Sequence, residues 1–411
     1  MRCGLIGEKL GHSFSKEIHE MLGRYSYELI ELPPEALEDF LRRRDFDGVN
    51  VTIPYKRSVI PYLDELSPRA RAIGAVNTIC NRGGRLYGDN TDFAGLEALL
   101  RRMGLEVEGK TVLIAGTGGT SRTAAAVARA LGAGQIFCLS RSGRGGAMTY
   151  ETAYAAQSGA EILINTTPAG MFPDTEGIAV DLDRLPRLEG VADVVYNPLT
   201  TRLVREARAR GIRAENGLYM LCAQAVYAAE QFTGASFGPE ETERIYRAVQ
   251  FEKRSIVLTG MPGSGKSTLG ALLAEKTGRE MLDTDAEIVR RAGMPITEIF
   301  RTRGEAAFRD LETAVLRDAG RRGGIILATG GGAVLRAENV DAMKQNGTVV
   351  FLDRPLDALL PTEDRPLADS GAKIRALYAA RYPVYTAAAD LRLEVAGTQE
   401  QTMTRLLEML Q

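Results

Sequence analysis

The octapeptide GMPGSGKS at residues 260–267 constrains this 411-residue chain more than any other segment. It satisfies G-x-x-x-x-G-K-[ST], follows the apolar run SIVLT and opens the helix-forming stretch KSTLGALLAEKTG (266–278). Strand, glycine-rich turn and helix in that order make a phosphate cradle. The glycines let backbone N–H groups converge on phosphate oxygens, and the helix N-terminus adds partial positive charge. Gly263, Ser264, Gly265, Lys266, Ser267 and Thr268 are therefore candidate ATP-binding residues. Lys266 would bridge the β- and γ-phosphates and Ser267 would hold Mg2+.

Such a turn needs a parallel sheet behind it, and the rest of the chain offers strands for one. TVLIAG (111–116), QIFCLS (135–140), EILINT (161–166), ADVVYN (192–197), SIVLTG (255–260), GIILATG (324–330) and TVVFLD (348–353) alternate with amphipathic segments such as 120–134. That alternation predicts parallel α/β layers. The chain exceeds what one core fills, so two or three domains are expected. A helix over 238–251 and three charged residues, Glu252, Lys253 and Arg254, precede SIVLTG, which puts the main boundary near 252.

Composition removes several function classes. A net charge of −2, without a basic stripe, gives no reason to expect a nucleic-acid partner. No apolar run reaches bilayer-spanning length, so no membrane role is expected. The four cysteines are scattered without ligand spacing and read as reduced thiols of a cytoplasmic protein. His12 and His19 are the only histidines, which excludes a histidine-rich metal site. Nothing in the sequence speaks to oligomeric state.

Downstream of the phosphate cradle lie LDTDAEI (282–288), ITEIFRTRGEAAFRDLE (296–312), ATGGGAV (328–334), EDRPLAD (363–369) and IRALYAARYPVY (374–385). Asp283 and Asp285 follow a strand-like end, where ligands bind in α/β folds. One acid there can join a magnesium shell and the other can accept a hydroxyl proton. Each residue also has a plainer local reading. Asp285 could cap the helix beginning at Ala286, Arg309 could pair with Glu305 or Glu312, and Arg365 and Arg381 could lie on the surface.

In order and spacing these segments resemble shikimate kinase over residues 254–411. The resemblance implies Asp283 beside Mg2+ and Asp285 binding shikimate and taking its hydroxyl proton. It also implies Arg309 and Arg381 on the shikimate carboxylate, Gly330, Gly331 and Gly332 against the ring, and Arg365 reaching ATP from a closing lid. The lid stretch 356–369 lacks the additional arginine that usually precedes Arg365.

Earlier in the chain, GTGGTSR (116–122) follows a strand and begins a helix, a variant dinucleotide fingerprint with Ser121 at the third glycine position. The next strand ends on Ser140, Arg141, Ser142, Gly143 and Arg144 rather than on an acid, which favours NADP over NAD. Before residue 100 stand GHSFSKEIHE (11–20), DGVNVTIPYK (47–56), GAVNTI (74–79) and GDNTDFAGLEALL (88–100). Taken singly, Lys56 could be a solvated loop lysine and Asp92 the cap of a helix over 93–103.

Together these clusters resemble shikimate dehydrogenase over residues 1–250. That resemblance implies Ser13 and Ser15 on the substrate carboxylate, with Thr52, Asn77, Asp92 and Gln224 on ring hydroxyls. It makes Lys56 the acid/base, puts Tyr196 near the substrate, and assigns Gly116, Thr117, Gly118, Gly119, Thr120, Val194 and Gly217 to NADP(H).

The expected architecture is thus α/β throughout. A two-domain dehydrogenase comes first, with an α/β substrate domain (1–95), a Rossmann NADP domain (96–217) and helices folding back (218–251). A P-loop kinase domain with a parallel sheet (252–411) follows. The expected activity reduces 3-dehydroshikimate to shikimate and phosphorylates the shikimate 3-hydroxyl. Two alternatives stay open at this point. One is a quinate-type NAD dehydrogenase fused to another small-molecule kinase, and the other is a non-catalytic metabolite sensor that reuses both folds.

Overall fold

The structure, a computed structural model, describes residues 1–11, 13–359 and 371–410. The chain divides into two compact units, Met1–Asn197 with Thr201–Val249, and Pro198–Thr200 with Gln250–Gln411.

The first unit contains two sheets. Strands β1 (Arg2–Gly7), β2 (Ser26–Glu31), β3 (Gly48–Val51), β4 (Glu65–Leu66), β5 (Thr78–Arg82) and β6 (Arg85–Asp89) form a mixed sheet in the order β2-β1-β3-β5-β6-β4. The second sheet is wholly parallel, β11-β10-β9-β7-β8, from β7 (Thr111–Ala115), β8 (Gln135–Leu139), β9 (Ile162–Asn165), β10 (Gly190–Asp193) and β11 (Arg213–Glu215). Its inner strands VLIA and ILIN are buried along their whole length, as parallel strands covered on both faces must be. Leu96, Leu99 and Leu100 of the helix Thr91–Arg102 join Val112 and Ile114 in one core. The helix Leu218–Thr233 packs on that same helix so closely that a Cβ at Gly95 would lie 2.6 Å from the main-chain oxygen of Met220.

The strand expected over 192–197 lies instead at Gly190–Asp193. After Asp193 the chain leaves the ladder because the Asp193 carboxylate accepts from the main-chain N–H of Val195 at 3.1 Å, from Asn165 at 2.9 Å and from the Thr201 hydroxyl at 2.6 Å. Val194, half-buried, still donates its N–H to the Asn165 oxygen at 3.0 Å, and the buried Val195 is the apolar residue that lies past the ladder. Burial also lifts the Asp193 carboxyl to about 6, against the pull of those three donors.

The second unit is built on a parallel sheet, β13-β14-β12-β15-β16, from β12 (Ser255–Thr259), β13 (Met281–Asp283), β14 (Ile326–Ala328), β15 (Gly347–Asp353) and β16 (Leu391–Glu394). Alternate residues of β12 serve opposite faces. Val257 packs with Leu316, Phe351 and Tyr385, whereas Ile256 and Leu258 pack with Leu269, Leu352 and Leu406. The helix before β12 runs Pro239–Lys253, two residues beyond its expected end, because the Arg254 N–H still donates to the Gln250 oxygen at 3.0 Å. One residue separates helix from strand. The long helix Ile296–Gly320 is broken at Gly304, whose φ of 81° and ψ of 171° are not helical. Among the described residues no helix is long and apolar enough to cross a membrane.

Candidate functional site

In the first unit, candidate residues gather at the carboxyl ends of β1 and β3 and at the start of the helix Thr91–Arg102. That helix is capped by Asn90, whose Oδ1 accepts from the Phe93 N–H at 3.2 Å. Asp92 is therefore not the cap that a local reading allowed. It sits inside the first turn, and its Oδ2 accepts from Lys56 Nζ at 2.5 Å. The two side chains are only 16% and 10% exposed, so Lys56 is not a solvated loop lysine either. A Cβ built on Gly119 would stand 3.9 Å from Lys56 Cβ and Cδ, which puts the lysine stem against the glycine-rich turn.

Beside that pair, Asn77 Nδ2 donates to Gln224 Oε1 at 3.4 Å, and both residues are buried. Ser13 and Ser15 join through their hydroxyls at 3.1 Å. Burial raises the Tyr196 phenol above its ordinary range, opposed by a hydrogen bond with Ser13, and the Tyr196 ring lies 5.2 Å from that of Phe14. Thr52 follows the last residue of β3; its N–H donates to the Ile6 oxygen and its oxygen accepts from Tyr55. Three linked groups thus emerge: Lys56 with Asp92, Asn77 with Gln224, and Ser13 with Ser15 and Tyr196.

Gly116 to Gly119 form the turn after β7, and the helix Gly119–Ala130 begins at Gly118 without a side-chain cap. Ser121 is buried with its hydroxyl turned back to the Gly118 oxygen at 2.8 Å, so a serine at the third glycine position does not project into the turn. Thr117 is exposed beside the half-buried Thr120. Ser140 Oγ accepts from the Gly143 N–H at 3.0 Å and shapes the loop from which Arg141, Ser142 and Arg144 emerge, with both arginines exposed. A Cβ at Gly217 would come within 2.1 Å of the Val194 oxygen, so only glycine lets these two chain segments meet. An uncapped helix N-terminus with two solvent-facing guanidinium groups after the next strand is a donor set that fits a pyrophosphate and a 2′-phosphate.

In the second unit, Gly265 adopts φ 94° and starts the helix Lys266–Thr277 without a side-chain cap. Lys266 Nζ donates to the oxygens of Gly260 and Met261, each at 2.9 Å. Within the turn Ser264 is buried, whereas Gly263, Ser267 and Thr268 are exposed. The Ser267 hydroxyl donates to Asp283 Oδ2 at 2.7 Å, an oxygen pair that fits Mg2+. Asp283 Oδ1 meanwhile accepts from the N–H groups of Asp285 and Ala286 at 3.0 and 3.3 Å. Asp283, not Asp285, is the helix cap, and the Asp285 carboxylate stands against the Gly330 turn.

The Gly330–Gly332 turn organises the remaining groups. A Cβ at Gly330 would lie 2.7 Å from Asp285 Oδ1 and 2.8 Å from Glu312 Oε1, and one at Gly332 only 2.1 Å from Arg309 Nη1. The Gly331 oxygen accepts from Arg381 at 3.0 Å and from the Tyr385 hydroxyl. Arg381 is 7% exposed, which overturns its reading as a surface residue. Arg309 makes both ion pairs that its helix allows, 2.8 Å to Glu312 and 3.1 Å to Glu305, yet it is buried. Glu312, named from the sequence only as a possible ion-pair partner of Arg309, also stands beside Asp285 against the Gly330 turn. Burial raises its carboxyl pKa, opposed by Arg309 and reinforced by Asp285. Arg365 and the stretch 360–369 of the expected lid lie outside the described residues.

The family model for the shikimate dehydrogenase substrate binding domain matches residues 5–79, and that for shikimate kinase matches residues 262–411. A curated relative from Halothermothrix orenii, "Shikimate dehydrogenase (NADP(+))", is 40% identical over 260 residues, 56% of this chain and 90% of the relative. Among solved structures, shikimate 5-dehydrogenase from Thermus thermophilus, in complex with NADP(H) and shikimate, is 34% identical with a TM-score of 0.55, covering 60% of this chain and 99% of that one. A chorismate mutase/shikimate 5-dehydrogenase fusion protein from Clostridium acetobutylicum is 32% identical with a TM-score of 0.57, covering 60% and 96%. Given a relative matched at this identity over nearly its full length, and a second family model matched behind it, the chain belongs to the shikimate dehydrogenase family and carries a C-terminal shikimate kinase domain.

Proposed function

We propose that this chain catalyses two consecutive reactions: reduction of 3-dehydroshikimate to shikimate with NADPH, then phosphorylation of the shikimate 3-hydroxyl with Mg-ATP. The observation that carries the reading is the buried Lys56–Asp92 pair against the glycine-rich turn, which brings an acid/base to the cofactor loop. Residues 1–95 serve as the substrate domain, 96–217 as the NADP domain, 218–251 as the returning helices and 252–411 as the kinase.

NADPH supplies the hydride when bound. Lys56 donates a proton from Nζ to the ketone oxygen as negative charge develops there, and takes it back in the oxidation direction. Asp92 orients the ammonium and, with Thr52, Asn77 and Gln224, receives the ring hydroxyls. Ser13 and Ser15 hold the carboxylate, with Tyr196 alongside. Ser140, Arg141, Ser142 and Arg144 recognise the 2′-phosphate, and Gly217 with Val194 borders the nicotinamide.

ATP with Mg2+ supplies the phosphoryl group when bound. Asp285 accepts the proton of the 3-hydroxyl, while Arg309 and Arg381 hold the carboxylate of a small anionic acceptor. With Mg-ATP bound, Lys266 would exchange its two carbonyl partners for phosphate oxygens, and Ser267 and Asp283 would hold the metal. All four cysteines are free thiols, which supports a reducing compartment, and we assign both reactions to the cytoplasm.

The test is one coupled assay of the purified chain with 3-dehydroshikimate, NADPH and Mg-ATP. Loss of NADPH absorbance should be followed by ADP release that depends on it. No turnover in either half would reject the reading.

A further inference from the structure

Behind Asn77 and Gln224 lies a buried polar chain that no role assigned above uses. Tyr27 of β2 donates its hydroxyl proton to Asn50 Oδ1 of β3 at 2.8 Å. Asn50 Nδ2 donates to Thr78 Oγ1 of β5 at 3.2 Å and to the main-chain oxygen of Asn77 at 3.3 Å. The Thr78 hydroxyl donates to Asn77 Oδ1 at 3.1 Å. Asn77 Nδ2 then donates to Thr91 Oγ1 at 3.1 Å and to Gln224 Oε1 at 3.4 Å. All these side chains are buried, and the Thr78 side chain is fully so.

The direction of this chain follows from groups that can act in only one way. The Thr91 main-chain N–H lies 2.7 Å from one side-chain atom of Asn77, so that atom is the acceptor oxygen. The main-chain oxygen of Asn77 faces one side-chain atom of Asn50, so that atom is the NH2 group, and the Asn50 oxygen must face Tyr27. Gln224 Nε2 is fixed by the Leu221 oxygen at 3.0 Å, which turns Gln224 Oε1 toward Asn77. Thr78 accepts from Asn50 and so has its own proton to give, to Asn77 Oδ1 at 3.1 Å or to Thr91 Oγ1, which lies 3.0 Å away. At its far end Tyr27 stacks on His19 with ring centroids 3.9 Å apart, and burial keeps its phenol protonated, hence a donor.

We infer that Tyr27, Asn50 and Thr78 form a one-directional hydrogen-bond relay that, together with the Thr91 main-chain N–H, holds the amide of Asn77 in the orientation that receives the substrate's hydroxyls. They are positioning residues, since they act through Asn77. Buried, fully satisfied networks of this kind specify one arrangement of their end groups, and a broken member leaves a neighbour free to turn. The relay rests on the reading of Asn77 and Gln224 as hydroxyl-binding residues.

The experiment compares Thr78→Val, Thr78→Ser, Asn50→Asp, Tyr27→Phe and Asn77→Ala by steady-state reduction of 3-dehydroshikimate, with the KM for NADPH measured in parallel. Thr78→Val, which cannot donate, should raise the substrate KM about fivefold to tenfold. Its kcat and NADPH KM should stay within about twofold of the parent values. Thr78→Ser, which keeps the hydroxyl, should restore the substrate KM. Asn50→Asp, which cannot donate to Thr78, should reproduce the rise. A parental KM in Thr78→Val, or a Thr78→Ser variant no better than Thr78→Val, overturns the relay. Should Thr78→Val fail to fold, Tyr27→Phe decides by the same measurement, because it keeps the ring and removes only the first donor. Asn77→Ala separates the two claims. If it leaves the substrate KM unchanged, the hydroxyl-binding reading itself is wrong; if it raises KM and Thr78→Val does not, only the relay is wrong.

Discussion

Both pockets are built on the first turn of a helix that follows a strand, and both put a carboxylate two residues past the cap. In the dehydrogenase unit the cap is Asn90 and the carboxylate Asp92; in the kinase unit they are Asp283 and Asp285. They differ in what stands around that carboxylate. Asp92 meets Lys56, and the neutral amides and hydroxyls that follow from its neighbour Thr91, those of Asn77, Thr78 and Gln224, bond to one another. Asp285 shares its place against Gly330 with Glu312, which in turn holds Arg309. Neutral hydrogen bonds encode direction and each contributes little, so they suit the task of orienting ring hydroxyls. Charged groups contribute more, and they cost more when one partner is lost. A site that seats an anion beside transferring phosphates needs them.

The largest test of this contrast removes the lysine of each pocket. Lys56→Ala should lower kcat for NADPH oxidation about a hundredfold to ten-thousandfold with little change in KM, while phosphoryl transfer persists. Lys266→Ala should do the converse, costing phosphoryl transfer about a thousandfold. If either variant lost both activities in parallel assays, the pockets would not be separate catalytic units.

Next in size is Glu312→Ala, which leaves the buried Arg309 with only the half-exposed Glu305. Breaking such a pair should destabilise the kinase unit by about 3 kcal/mol. Thermal inactivation of phosphoryl transfer should then come at lower temperature, with inactivation of NADPH oxidation unshifted. Equal inactivation curves for parent and variant would show that the charged surround contributes no more than the neutral one.

Acid sharpens the comparison from the other side, because both histidines precede residue 20. Burial lowers His19 from 6.5 to about 3. Between those values the unfolded chain binds a proton that the folded one refuses. The stability that His19 contributes is therefore complete above pH 6.5 and falls by about 1.4 kcal/mol per pH unit below it, down to about pH 3. Asp193, lifted to about 6 in the same unit, takes up a proton in the folded state below that pH and offsets part of this loss, so the test is a difference. Between about pH 6.5 and 5.5, stability from denaturant unfolding followed by NADPH oxidation should fall less with acid in His19→Phe than in the parent. The smallest effect is at the exposed arginines. Arg141→Ala combined with Arg144→Ala should raise the KM for NADPH about tenfold and leave that for NADH unchanged. A parallel rise for NADH would remove their role at the 2′-phosphate.

How much was legible in the sequence varied by element. The two glycine-rich turns and their flanking strands were readable because a turn that cradles phosphate restricts residue type at fixed offsets. Strand limits were less so: Val195 is apolar and buried, yet its N–H donates to the Asp193 carboxylate and not to a neighbouring strand. Local reasoning favoured Asp92 and Asp285 as helix caps, and only tertiary structure moved the caps to Asn90 and Asp283, since one backbone turn admits several polar neighbours. Asn50 and Thr78 stood in segments already singled out, GVNV and NTI, as polar residues within apolar runs. Asn50 pairs with Tyr27 and Thr78 on other strands, 23 and 28 residues away, so no local pattern could pair them. The sequence by itself determined the chemistry each segment can offer, because that depends on residue type and short spacing. Which carboxylate faces a cavity, which arginine is buried and which amide is locked were decided by the packing of distant segments, because burial and hydrogen-bond direction are properties of neighbours in space.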